Sequence, residues 1–184
     1  MIRALGCLGG LFTGALGLVA AFMALLLLAG GGVGSNSGPS HISFAVHPTS
    51  SGHVSAPPHS WWSYFHQAAM RFHVPIALLE AIAFVESDYG TNDGPSSAGA
   101  IGPMQFEPAT WQIVSQNLGY STADIWHPQP AIMGAAWLLA QDGATTSTGL
   151  SAAIFAYNHS AAYVNQVLGT MHILQRLATQ GGAL

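Results

Sequence analysis

From residue 61 onward, apolar residues recur at helical rather than strand spacing. "WWSYFHQAAMRF" (61–72) and "PIALLEAIAFVES" (75–87) predict two helices, with Pro75 suited to a first helical turn. "PATWQIVSQNLG" opens with Pro108 and closes near Gly119, and "PAIMGAAWLLAQ" starts at Pro130 and stops at Asp142–Gly143. "LSAAIFAYN" (150–158) and "SAAYVNQVLGTMHILQRLATQ" (160–180), the second with Ser160 as its N-cap, complete the set. No run shows the sustained alternation of a strand. The expected architecture is a compact all-α domain of about six helices over residues 61–184, with no internal repeat.

The pattern is different ahead of residue 61. Between Ala4 and Val33 no residue is charged, and these 30 residues exceed the roughly 20 needed to cross a bilayer. Residues 1–33 therefore predict a transmembrane anchor, and Arg3 on the short N-terminal side would leave the rest of the chain on the extracytoplasmic face. A cleaved signal peptide is the competing reading, with Ala29 and Gly31 as small residues near a cleavage point; the domain would then be secreted. Residues 34–60 turn to Gly, Ser, Pro and His and predict a flexible linker. Its His41, His47, His53 and His59 recur every six residues, which fits neither helical nor strand ligand spacing, and no acid precedes Glu80. No metal is expected there.

Composition narrows the partners. The 184 residues leave room for one ordinary domain and an accessory segment. Lysine is absent, the fixed cations are Arg3, Arg71 and Arg176, and the acids are Glu80, Glu86, Asp88, Asp93, Glu107, Asp124 and Asp142. A chain with so few cations has no basic surface for phosphates, so nucleic-acid binding is excluded. Cys7 is the single cysteine, so no intramolecular disulfide forms.

One acid stands out. In "AIAFVESDYG" (81–90) the stripe Ile76, Leu79, Ile82 and Ala83 continues onto Glu86, which places a carboxyl on the apolar side of its helix. Desolvation would raise its pKa from about 4.3 toward about 6, at a cost of about 2 to 3 kcal/mol, and make it a proton donor near neutral pH. Periodicity alone leaves equally open a glutamate at a frayed helix end, turned to water. Downstream, "SSAGAIGPMQF" (96–106) crowds Gly99 and Gly102 among small residues, so backbone can approach a ligand or a helix end closely, and Gln105 brings an amide suited to sugar hydroxyls and acetamido groups. No lysine follows and no strand precedes this loop, which excludes a phosphate loop. "AAIFAYNHS" sets Tyr157 and Asn158 at the end of an apolar helix.

The ordered set of Glu86–Ser87, then "SSAGAIGPMQF", then Ala156-Tyr157-Asn158 resembles the soluble lytic transglycosylase family, with its goose-type-lysozyme-like helical domain, over about residues 70–170. "EPATW" after Phe106 and "DIWHPQPAIMGAAWLL" from Asp124 are similar to the family's intermediate segments. The resemblance implies cleavage of the β-1,4 bond between N-acetylmuramic acid and N-acetylglucosamine in peptidoglycan glycan strands. Glu86 would act as acid and then base, with the product closing a 1,6-anhydro ring. No cofactor and no second catalytic carboxylate are implied, whereas most glycosidases use two. The family's motif carries Ser87, Ser96, Met104, Gln105, Tyr157 and Asn158 over to the sugar subsites and the support of Glu86, with Tyr157 as the expected partner of the acid. Glu107 stands where many relatives have an uncharged residue, and its role is left open.

Two alternatives stay open: a hydrolytic muramidase, in which water attacks, and a noncatalytic wall-binding module. The layout of anchor, linker and lone catalytic domain suits local wall opening, in service of a secretion or conjugation apparatus or of wall turnover.

Overall fold

The computed structural model describes residues 53–181. The apolar segment 1–33 and linker residues 34–52 lie outside the described residues, so the expectation of a transmembrane or signal helix falls there. Among the described residues no helix is long and apolar enough to cross a membrane.

Among the described residues six α-helices follow in chain order: α1 Trp62–Phe72, α2 Ile76–Ser87, α3 Pro108–Leu118, α4 Pro128–Gln141, α5 Leu150–Asn158 and α6 Ala161–Gly181. No strand occurs among the described residues; the nearest approach is one antiparallel bridge between Ile101 and Phe106. The all-α expectation holds over this region, with small boundary shifts and one added turn: α2 starts at Ile76, with the expected first residue Pro75 as its extended N-cap. Trp61 belongs to a short 3-10 turn, His59–Trp61, rather than to α1. Helix α4 starts at Pro128, two residues before Pro130, because either proline fits a first turn whose N–H groups have no intrahelical acceptor. Between α3 and α4 a second 3-10 turn, Thr122–Trp126, is closed by a capping box in which Ser121 and Asp124 satisfy each other's end of the turn.

Helix α2 is apolar on nearly every side, and such a helix is stable only when surrounded. It packs against α6 along most of its length and also against α1 and α4. Leu78, Leu79 and Ile82 are fully buried, each contributing about 1.5–3 kcal/mol by leaving water. From α6 the facing stripe is Tyr163, Val167, Thr170 and Leu174, all buried at helical spacing. Ser160 caps α6 as its sequence suggests: its hydroxyl accepts the Tyr163 amide at 3.3 Å.

The last residues of the expected linker, 54–60, lie against the domain. Val54 packs on the core and the Ser55 carbonyl accepts the Tyr89 hydroxyl at 3.2 Å, so residues from about 54 onward are part of the packed domain.

Candidate active site

Helix α2 ends in an abrupt left-handed turn. The Asp88 amide makes the last helical bond, to the Phe84 carbonyl at 2.8 Å, and the Tyr89 amide reaches back six residues to the Ala83 carbonyl at 3.1 Å, with both Asp88 and Tyr89 at positive φ. The turn fixes the last helical residues, among them Glu86. Its carboxyl points toward α6, where the Tyr163 hydroxyl donates to Glu86 Oε1 at 2.5 Å. Burial pushes the Glu86 carboxyl up to about 7, and the Tyr163 hydrogen bond opposes that rise without cancelling it. Burial and the neighbouring Glu86 carboxylate push the Tyr163 phenol well up as well, so it remains a proton-bearing donor. The residue as a whole nevertheless keeps partial exposure. A carboxyl that is buried enough to titrate near neutrality and oriented by a phenol can both give and take a proton.

Ser87, the next residue, faces inward and is buried. Its hydroxyl donates to the Pro103 carbonyl at 2.7 Å, lies 3.3 Å from the Ala83 carbonyl, and accepts the Gly90 amide at 2.8 Å. It therefore ties the end of α2 to the loop at 96–106. Within that loop the Ser96 hydroxyl accepts the amides of Ala98 and Ala100 at 3.2 and 3.1 Å. The Ile101 amide donates to the Phe106 carbonyl at 3.0 Å, and residues 102–105 form the turn between them, with the Gln105 amide on the Gly102 carbonyl at 3.0 Å. Gln105 adopts φ 47°, disfavoured for a residue with a Cβ, and its side-chain amide donates back to the carbonyls of Gly102 and Gly94 at 3.0 and 3.2 Å. Gly102 cannot be replaced at its φ of 79°: a Cβ there would stand 2.2 Å from the Ile125 carbonyl oxygen.

Tyr157, the expected partner of Glu86, is engaged elsewhere. Its hydroxyl donates to the Met104 carbonyl at 2.9 Å, and its ring lies 6.1 Å from that of Phe106. The hydroxyl on the acid belongs to Tyr163, which corrects that expectation. Tyr157 still lies close enough for the Glu86 carboxylate to help push its phenol up, so Glu86, Tyr157 and Tyr163 form one cluster. The Met104 side chain is fully buried, which leaves its carbonyl rather than its side chain as its contribution at the site. Asn158 is half-buried at the last position of α5, before His159 turns the chain at φ 57°. Thus Ser87, Tyr157 and the loop carrying Ser96, Met104 and Gln105 are tied together by hydrogen bonds, Glu86 joins them as the chain neighbour of Ser87, and Asn158 joins them only through the helix it ends. The sequence reading missed Tyr163, although one signal pointed to its burial: counted from the Ser160 cap, it starts the stripe that continues to Val167 and Leu174, an inward face on which a polar group has to find a partner.

Among the described residues no group of three or more His, Cys, Asp or Glu side chains could hold a metal ion. Compared with curated proteins, the chain matches none. Compared with protein families, residues 63–175 match the one described as Transglycosylase SLT domain. That segment contains the Glu86 helix, its loop and both tyrosines, and covers more than half of the 184 residues. The chain belongs to the transglycosylase SLT domain family.

Proposed function

We propose that the protein is a peptidoglycan lytic transglycosylase that cleaves the N-acetylmuramic acid β-1,4-N-acetylglucosamine bond with Glu86 as its one catalytic carboxyl. Membership of the family carries a transglycosylase-type action on peptidoglycan in general. The observation that supports the finer reading is the state of Glu86: raised to about 7 by burial and held by the Tyr163 hydroxyl. In its protonated form Glu86 donates to the bridging glycosidic oxygen, which leaves with the N-acetylglucosamine side as a hydroxyl. The resulting carboxylate then takes the proton of the muramyl 6-hydroxyl while that oxygen bonds to the anomeric carbon. The 1,6-anhydro ring closes, the carboxyl is again protonated, and no water is consumed. Ser87, Ser96 and Gln105 shape the loop beside the acid, and Tyr157, Asn158 and the Met104 backbone border it. On this reading the segment 1–33 holds the domain at the extracytoplasmic membrane face, where local wall opening would serve a secretion or conjugation apparatus.

Digestion of purified peptidoglycan tests the reaction. The expected muropeptides are lighter by one water than hydrolytic ones and lack new reducing ends. Reducing ends from the wild-type chain would establish a muramidase instead. Glu86→Gln is expected to bind glycan strands and cleave none; cleavage by that variant would place the acid elsewhere. Membrane fractionation with a mass measurement of the recovered chain tests the anchor.

A further inference from the structure

We propose that residues 55–61, which lie ahead of the family-matching segment, act as a clamp that positions the acid: by caging Tyr89 they hold the left-handed turn that ends the Glu86 helix. This rests on the reading of Glu86 as the catalytic acid. Asp88 and Tyr89 lie at φ 50° and 53°, two successive residues in a conformation that side chains with a Cβ disfavour. Such a turn persists where its surroundings over-determine it. Here the Tyr89 ring packs against Trp61, Phe65 and Phe84 at centroid distances of 6.3, 6.5 and 5.7 Å, the Trp61 contact being edge-on, and its hydroxyl donates to the Ser55 carbonyl at 3.2 Å.

A second contact joins the same segment to the site. The Trp61 indole lies over Gly90, so close that a Cβ on this glycine would stand 3.1 Å from the ring. The Gly90 amide donates to the Ser87 hydroxyl, and that hydroxyl donates to Pro103 in the site loop. Trp61 thus bears on Gly90, four residues beyond the acid and bonded to its neighbour Ser87, and Tyr89 holds the turn between them. Both are positioning residues. The titratable groups facing Glu86 are Tyr163 and Tyr157, and those beside Tyr89 are Glu80 and Asp88; the clamp adds no ionisable side chain to either set.

The test uses the full chain with Tyr89→Phe, Trp61→Ala and Trp61→Phe, and reads turnover of soluble glycan strands, its pH dependence and thermal unfolding. A loosened turn lets water reach Glu86 and misaligns it. Tyr89→Phe and Trp61→Ala should therefore lower kcat by about tenfold with KM held within about twofold. They should also move the basic limb of the pH profile to lower pH, and Trp61→Phe should restore both. Wild-type kcat and an unmoved limb in folded Tyr89→Phe and Trp61→Ala would overturn the clamp, even if their unfolding temperature drops. Should Trp61→Ala fail to fold, Tyr89→Phe, which removes a single oxygen, decides. Cleavage retained by Glu86→Gln would overturn the acid assignment and the clamp with it, whereas an inactive Glu86→Gln beside unaltered clamp variants would overturn the clamp alone.

Discussion

The Tyr163 hydroxyl and the Glu86 carboxyl meet at 2.5 Å although 77 residues separate them in the chain. The bond favours the charged carboxylate, yet desolvation prevails and leaves the group at about 7. Removing the phenol leaves desolvation unopposed. Tyr163→Phe is expected to move the basic limb of the pH profile upward by about one to two pH units, as suits a hydrogen bond to a charged group worth about 1.5–3 kcal/mol, and to lower turnover through a less constrained carboxyl. A limb that moves downward would show that the phenol does not donate to the carboxylate.

Glu86 also makes stability depend on pH. Its carboxyl is raised from 4.5 to about 7 by folding, so the folded chain holds this proton after the unfolded chain has released it. Below pH 4.5 both states are protonated and the group costs nothing. Stability then falls as pH rises through the window up to about 7, by about 2 to 3 kcal/mol after allowance for its partial exposure. Glu86→Gln should be more stable than wild type by that amount at pH 8 and equal to it at pH 4. Urea denaturation at the two pH values measures this, and a gain independent of pH would contradict it.

The Ser87 hydroxyl satisfies two groups in the interior. Ser87→Ala strands the buried Pro103 carbonyl and the Gly90 amide. The expected loss is about 2 to 4 kcal/mol in urea unfolding, with turnover reduced because the site loop is released from α2. A loss below about 0.5 kcal/mol would mean that the loop is held by its other bonds.

Two glycines of the loop separate strain from collision. Both have positive φ, but a Cβ at Gly99 meets nothing within 4 Å, whereas at Gly102 it would strike the Ile125 carbonyl. Gly99→Ala should cost about 1 kcal/mol, and Gly102→Ala about 3 kcal/mol or more together with most of the activity. Thermal unfolding and turnover of the pair check this; equal costs would show that the turn before α4 yields.

What the sequence determined by itself is what depends on local spacing. The six helices of the described residues, the burial of α2 and the Ser160 cap all follow from apolar periodicity and from the few residues that start and stop helices, whereas for Glu86 periodicity left an inward and a solvent-facing carboxyl equally open. The order of the Glu86, "GAIGPMQF" and "AYN" segments identified the family, because each motif is local even though the site is not. Only the tertiary structure decided which tyrosine serves the acid. Tyr157 and Tyr163 lie six residues apart on either side of a helix break, and the packing of α6 along α2 brings Tyr163 to Glu86 while Tyr157 reaches Met104. The same is true of residues 54–60, whose Gly-, Ser- and Pro-rich surroundings read as solvent-exposed spacer. Their place in the domain comes from Trp61 and Ser55 meeting Tyr89, and spacing along the chain carries no information about partners some thirty residues away.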